Sequence, residues 1–314
     1  MLTSIVYIMI ALVALFFGAD WLVKGAASLA ERFGISALVV GLTVVAYGTS
    51  TPEMVVSAQA AASGMGGISV GNVVGSNIFN IGIILGLAAL IFPLRANMQL
   101  IRFDTPVMIL TAVLFLVLFL DHRIGRLEGA LFLAAVIGYS IFNVIKSRQE
   151  TKKIVLQEYE QAVPKVTRHW GLDILLILLG LAVLIGGSRL LVMGAVDLAR
   201  MIGLSESVIG LTIVAAGTSM PELATSVVAA IKKQPDIAIG NVVGSNIFNI
   251  LGILGIAALI KPVYAPEISL TDSIVMIGMS ILLLPLIKTG FTLKRWEGAM
   301  FVAIYVAYVV YLLN

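Results

Sequence analysis

Two glutamates occur at the ends of nearly identical six-residue strings. Glu53 ends GTSTPE and Glu222 ends GTSMPE, each inside an otherwise apolar stretch. Pro52 and Pro221 have no N–H to donate, so each proline interrupts helical hydrogen bonding and frees carbonyl oxygens beside the carboxylate. Carboxylates, carbonyls and hydroxyls are the ligands that hard cations such as Ca²⁺ and Na⁺ prefer. The two strings therefore predict a site for a hard cation.

A second pair of matching strings supplies hydroxyl and amide groups. The run GNVVGSNIFNI occurs unchanged at residues 71–81 and 240–250. Residues four apart share a helix face, and each copy has three polar residues at such positions: Asn72, Ser76 and Asn80, then Asn241, Ser245 and Asn249. Glycines four residues apart in the same runs predict close helix packing. A lone Ser or Asn in an apolar helix more often bonds a neighbouring helix than an ion, but recurrence of the whole set favours a binding site.

The composition places these groups in a membrane. Of the 314 residues, 60% are hydrophobic and 12% are charged, whereas an average soluble domain has roughly 25% charged residues. A carboxylate in a membrane span costs about 2.5–3.5 kcal/mol on insertion scales, so such residues are functional candidates.

The same composition excludes several function classes. Cysteine is absent, and the two histidines, His122 and His169, fall in predicted loops, so no thiolate chemistry or soft-metal site is expected. No basic block suggests nucleic acid as a partner. No His-Glu-x-x-His string or P-loop points to an enzyme, and no cofactor or obligatory protein partner is expected besides the lipid bilayer and the transported ions.

The chain is an internal duplication. Residues 41–81 align without gaps on residues 210–250, with 25 of 41 positions identical at an offset of 169. The same offset places RLEGA at 126–130 on RWEGA at 295–299. We therefore predict two repeats, residues 1–146 and 171–314, joined by a cytoplasmic linker at 147–170. The matching core of each repeat lies at about 37–92 and 206–261.

Each repeat contains five predicted membrane spans, which makes the fold class an all-α polytopic membrane protein with ten transmembrane helices. We number them span 1 to span 10, near residues 3–30, 37–62, 69–92, 104–120, 126–146, 172–199, 206–231, 238–260, 272–288 and 296–313. Because five is odd, the second repeat crosses the membrane in the opposite sense, as in many secondary transporters. Spans 2, 3, 7 and 8 are predicted to be broken.

The distribution of basic residues predicts the orientation. With the linker in the cytoplasm, fourteen Lys and Arg residues fall inside and four outside. Positive residues concentrate on the cytoplasmic side of membrane proteins, so both termini are predicted to lie outside.

The paired strings resemble the two α-repeats of the sodium/calcium exchangers, within the calcium:cation antiporter superfamily. The likeness to the compact prokaryotic members covers all ten predicted spans. It implies a transporter of the cytoplasmic membrane that exchanges Na⁺ for Ca²⁺ by alternating access, with spans 1 and 6 sliding against the remaining core.

The resemblance also implies a set of ligands by matching position. Ca²⁺ would be bound by the carboxylates of Glu53 and Glu222 and the carbonyls of Thr49 and Thr218. The flanking Na⁺ sites would use four serines, two alanine carbonyls and two asparagines: Ser50, Ser76, Ser219, Ser245, Ala46, Ala215, Asn80 and Asn249. Some relatives have Asp at the position of Asn249, which leaves the sodium stoichiometry open.

Other readings of the same scaffold remain. A proton/calcium exchanger would use the glutamates as proton carriers, and a potassium-dependent sodium/calcium exchanger would add a third ion. The many hydroxyl groups favour sodium. A passive cation channel would not need two interrupted, inverted helices around one site.

Overall fold

The computed structural model describes residues 2–157, 170–201 and 215–313. These residues are helical apart from loops and four two-residue strands, which confirms the all-α fold class. Within them, eight helices are long and apolar enough to cross a membrane, and a ninth is added when the two pieces of span 2 count as one. The chain is therefore a multi-pass membrane protein.

The helices lie close to the predicted spans. In the first repeat they are span 1 Leu2–Phe33, span 2 Ala37–Val40, Gly41–Val45, Ala46–Thr49 and Thr51–Ala62, span 3 Gly66–Phe79, Asn80–Leu85 and Gly86–Ile91, span 4 Leu100–Asp104 and Thr105–Leu118, and span 5 Arg126–Gln157. In the second they are span 6 Trp170–Met201, span 7 Ala215–Thr218 and Met220–Ile231, span 8 Pro235–Phe248, Asn249–Leu254 and Gly255–Ile260, span 9 Leu270–Lys288 with Thr289–Phe291, and span 10 Arg295–Leu313.

Two predictions fall partly outside the described residues. The undescribed residues include the first part of span 7, residues 206–214, and most of the linker, residues 158–169. The described remainder of span 7 is a 12-residue helix after its break, too short to count as a span by itself. A tenth crossing therefore stays a prediction.

The predicted breaks are present in span 2 and, within its described part, span 7, but the predicted breaks in spans 3 and 8 are wrong. The pieces of span 2 meet at 49°. Spans 3 and 8 instead run on through a π-helical stretch, at Asn80–Leu85 and Asn249–Leu254. The physical reason is that neither helix has a proline in its middle. A wider helical turn accommodates the polar residues there without interrupting the helix.

Spans 1 and 6 pack as a pair. A Cβ atom on Gly18 would lie 3.0 Å from the Gly180 carbonyl oxygen, and a Cβ on Gly180 would lie 2.8 Å from the Gly18 oxygen. The two backbones are therefore in direct contact along their length. Arg32 Nε also lies 3.3 Å from Asp173 Oδ2, which joins the two helices at one end.

Short strand pairs join loops from the two repeats. Leu94–Arg95 pairs antiparallel with Thr292–Leu293. Arg123–Ile124 pairs antiparallel with Val263–Tyr264. Each pair connects loops that are far apart in sequence, so the two repeats are tied together at both ends of the bundle.

Two repeated glutamates at helix ends cap their own helices. Glu128 Oε2 accepts a hydrogen bond from the Gly125 N–H, and Glu297 Oε2 accepts one from the Lys294 N–H, both at 2.6 Å. These carboxylates satisfy amides that have no partner within the helix. Their recurrence is therefore explained by capping rather than by ion binding.

Candidate ion-binding site

Each glutamate stands in the first turn of a helix that begins at the proline break. Span 2 resumes at Thr51 and span 7 at Met220, with proline as the second residue of each piece. The preceding residues, Ser50 and Ser219, have nearly the same backbone conformation, with ψ of 9° in both. A helix N-terminus exposes unpaired N–H groups that favour negative charge. The break therefore provides a place for a carboxylate inside the apolar bundle.

The two glutamates are held by hydroxyls from opposite repeats. Ser50 Oγ donates to Glu222 Oε1, and Ser219 Oγ donates to Glu53 Oε1, both at 2.8 Å. Ser76 Oγ lies 3.2 Å from Ser219 Oγ. Both carboxylates are only 1% exposed. The predicted residues of the two repeats thus meet in one buried site.

Spans 3 and 8 fix the backbone of the two glutamates. Asn72 Nδ2 donates to the Glu53 carbonyl at 3.2 Å and to Ser57 Oγ at 2.9 Å. In the second repeat Asn241 Nδ2 donates to the Glu222 carbonyl at 3.3 Å and to Ser226 Oγ at 2.9 Å. These amides have their hydrogen-bond donors engaged, so they position the carboxylates.

The predicted carbonyl ligands lie on the N-terminal side of each break, in Ala46–Thr49 and Ala215–Thr218. The Ala46 carbonyl accepts the Ser50 N–H at 3.0 Å, as in a regular helix. Thr49 Oγ1 donates within its own helix, to the Val45 carbonyl at 3.0 Å. Thr218 precedes the break in span 7, and the side chain of Ala215 lies outside the described residues. The Gly217 carbonyl, which faces the missing Pro221 N–H, accepts the hydroxyl of Ser188 from span 6.

Four asparagines link the repeats at the centre of the bundle. Asn80 Nδ2 donates to Asn246 Oδ1 at 2.9 Å, and Asn249 Nδ2 donates to Asn77 Oδ1 at 3.0 Å. Asn77 Nδ2 also donates to the Asn246 carbonyl at 3.2 Å, and Asn246 Nδ2 returns a bond to the Asn77 carbonyl at 3.3 Å. Asn77 and Asn246 are not among the residues predicted from the sequence as ligands. Their place in the unchanged eleven-residue run was the available signal.

This central link leads to a stability prediction. Asn77→Leu and Asn246→Leu should each lower the free energy of unfolding by about 1–3 kcal/mol, because each leaves buried amide groups without partners. Thermal unfolding of the detergent-solubilised protein measures the effect. The double variant should lose less than the sum, since either single change already breaks the shared bonds. Strictly additive losses would contradict the link.

Five buried oxygen atoms of the predicted ligands have no hydrogen-bond partner among the described residues. They are Glu53 Oε2, Glu222 Oε2, Ser245 Oγ, Asn80 Oδ1 and Asn249 Oδ1. All five residues are 1% exposed or less. Neither glutamate forms an ion pair with a Lys or Arg in the described part of the chain. Buried acceptors without partners are costly, and a cation bound among them would satisfy several at once.

Another buried carboxylate lies outside this site. Asp104 in span 4 is fully buried, and Tyr139 of span 5 donates its hydroxyl to Asp104 Oδ1 at 2.9 Å. Asp104 was not predicted as a site residue, because its repeat counterpart is Ser273 and the carboxylate is therefore not duplicated.

Known proteins share this architecture. A family model described as sodium/calcium exchanger protein matches residues 3–145 and 172–314. The protein CaxA of Alkalimonas amylolytica is 39% identical over 313 residues, 98% of each chain. The sodium/calcium exchanger MaX1 of Methanosarcina acetivorans is 35% identical over 339 residues, 97% of each chain. A solved structure of the sodium-calcium exchanger NCX_Mj, soaked with zero Na⁺ and Ca²⁺, has a TM-score of 0.86 and 32% identity over 99% of both chains. The resemblance seen in the paired strings is confirmed, and the chain belongs to the sodium/calcium exchanger protein family.

Proposed function

We propose that this protein is a secondary transporter that exchanges Na⁺ for Ca²⁺, with the transported Ca²⁺ held between Glu53 and Glu222. The observation that carries the proposal is the group of five buried, unpartnered oxygens contributed by both repeats. Every one of these oxygens belongs to a residue that a hard cation can use as a ligand.

Charge favours this assignment. Two ionised carboxylates match the charge of one Ca²⁺ or of two Na⁺ ions. The site is surrounded by serine and asparagine groups without a thiolate or imidazole, which suits Ca²⁺ and Na⁺ better than softer metals. The hydroxyls of Ser50, Ser76, Ser219 and Ser245, with Asn80 and Asn249, are the proposed Na⁺ ligands. The carbonyls of Thr49 and Thr218 complete the Ca²⁺ set, and those of Ala46 and Ala215 the Na⁺ set.

The same charge accounts for exchange instead of one-way transport. An empty site shut off from water would leave two uncompensated carboxylates, which costs several kcal/mol. The protein should therefore switch between faces only when an ion is bound. Alternating access follows, and the solved NCX_Mj structure is described in terms of extracellular ion exchange and induced binding-site occlusion.

The strand pairs support the ten-span inverted topology. The loop with Leu94–Arg95 and the loop with Thr292–Leu293 are joined, so an even number of crossings must separate them, and spans 4 to 9 provide six. The second strand pair likewise joins the loops before span 5 and after span 8, which four spans separate. Both counts are even only if span 7 crosses the membrane. We place the first joined loops and the linker in the cytoplasm and both termini outside the cytoplasmic membrane, as the basic residues indicate.

Transport into vesicles tests the proposal. Purified protein in Na⁺-loaded vesicles should accumulate radioactive Ca²⁺ when the outside is free of sodium. Equal Na⁺ on both sides should abolish the uptake. Uptake driven equally well by a pH gradient without sodium would contradict sodium exchange and favour the proton/calcium alternative, and an absolute requirement for K⁺ would favour the potassium-dependent one.

A further inference from the structure

An ion pair joins the span 1 and span 6 pair to the rest of the bundle. Asp20 of span 1 has Lys24 Nζ 2.7 Å from its Oδ2, as expected for residues four apart on a helix. Its other oxygen, Oδ1, contacts the Nζ of Lys232. Lys232 follows the last helical residue of span 7, the span that carries Glu222. One carboxylate therefore bridges a lysine of its own helix and a lysine from a different element.

This contact is on the predicted cytoplasmic side of the ion site, beneath a cavity. A cavity of about 560 Å³ lies between the end of span 1 and the loop that connects spans 7 and 8, with Ala30, Glu31 and Asp236 among its lining residues. Asp20 precedes Glu31 by eleven residues, which places it roughly 16 Å deeper along the helix axis. Lys232 directly precedes Lys233, which lines the cavity, so the ion pair ties span 1 to the end of span 7 beside this cavity.

The second repeat has no equivalent contact. The repeat counterparts of Asp20, Lys24 and Lys232 are Arg189, Met193 and Ser63, a set without any carboxylate. The pair therefore acts on one face of the membrane only.

From this geometry we infer that Asp20 and Lys232 form a latch that holds the cytoplasmic side of the exchanger closed. The inference rests on the proposed alternating access, in which spans 1 and 6 move against the core. When span 1 moves, Asp20 leaves Lys232 but keeps Lys24, so its charge has a partner in both states. The latch therefore sets the balance between the two faces and is not a ligand of the transported ion.

Cysteine accessibility tests the latch independently of transport. The chain has no cysteine, so Ala30→Cys introduces a single thiol on span 1, at a cavity-lining position only 3% exposed. A membrane-impermeant maleimide applied from the cytoplasmic side should label this thiol at least threefold faster after Asp20→Asn or Lys232→Gln. Lys24→Gln is the matched control, since it removes a lysine from the same carboxylate without cutting the link between elements, and it should label at the parent rate.

The outcomes separate the two proposals. Parent-like labelling in both Asp20→Asn and Lys232→Gln, or equal acceleration by Lys24→Gln, would overturn the latch and leave the exchange proposal standing. Labelling that is absent in every background, with or without Na⁺ and Ca²⁺, would overturn both the latch and the alternating access on which it rests.

Discussion

Glu53→Gln is expected to reduce Na⁺-driven Ca²⁺ uptake at least 100-fold while the protein still folds. Glutamine keeps an oxygen that accepts the Ser219 hydroxyl, so the local hydrogen bonding survives. It removes the negative charge of the Glu53 carboxylate, whose second oxygen, Oε2, has no hydrogen-bond partner among the described residues. A loss of about 3 kcal/mol in ion binding corresponds to a roughly 100-fold weaker site. Glu222→Gln should have the same effect because Ser50 holds it in the same way.

A buried carboxylate outside the site provides the control for this experiment. Asp104→Asn also neutralises a fully buried acid that accepts one hydroxyl, that of Tyr139. Its uptake should stay within about twofold of the parent, with vesicle uptake corrected for the amount of folded protein. If Asp104→Asn is as inactive as Glu53→Gln, loss of any buried charge explains the defect and the assigned role of the glutamates is wrong.

Gly244→Ala is expected to lower both stability and exchange. A Cβ atom at Gly244 in span 8 would contact the Leu42 carbonyl oxygen and lie 2.7 Å from the Leu42 Cα in span 2. These are backbone atoms, so the two helices must separate. Forcing extra volume into a packed core costs about 1–3 kcal/mol. Separation would also pull Asn241 away from Thr49, whose hydroxyl lies 3.1 Å from Asn241 Oδ1, and uptake should fall at least tenfold.

Gly138→Ala serves as the matched substitution. Gly138 is exposed in span 5, and no described atom lies within 4 Å of the Cβ that alanine would add. Alanine is a better helix former than glycine by about 1 kcal/mol, so this variant should melt no lower than the parent and transport normally. Thermal unfolding in detergent and vesicle uptake measure the two properties. A Gly244→Ala protein that matches Gly138→Ala in both would contradict the close contact of spans 2 and 8.

The duplication explains how much of this site could be predicted from the sequence. Glu53 and Glu222 were found because the same proline and hydroxyl groups recur at a fixed offset. A charged residue in an apolar span is also energetically costly, which makes it a functional candidate. The bend in span 2 follows from Pro52, which lacks an N–H. Local features of this kind can be predicted from a few consecutive residues.

Contacts between the repeats could not be predicted in the same way. The bonds from Asn80 to Asn246 and from Asn249 to Asn77 join residues more than 160 positions apart. The spacing of polar residues within one helix does not predict which residue of another helix they contact. The breaks predicted for spans 3 and 8 were wrong, because neither span has a proline in its middle and each continues through a π-helical stretch that begins at Asn80 or Asn249. The Asp20–Lys232 contact was also missed, since sequence spacing showed only the Lys24 partner.

The position of a bound divalent cation is the most direct test of the central claim. Crystals soaked with Sr²⁺ or Ca²⁺ should show one anomalous-scattering peak in contact with both Glu53 Oε2 and Glu222 Oε2, at about 2.3–2.6 Å for calcium. High Na⁺ in the soak should displace it. A peak that contacts only one of the two carboxylates, or that persists in Glu53→Gln, would contradict a shared site between the two repeats.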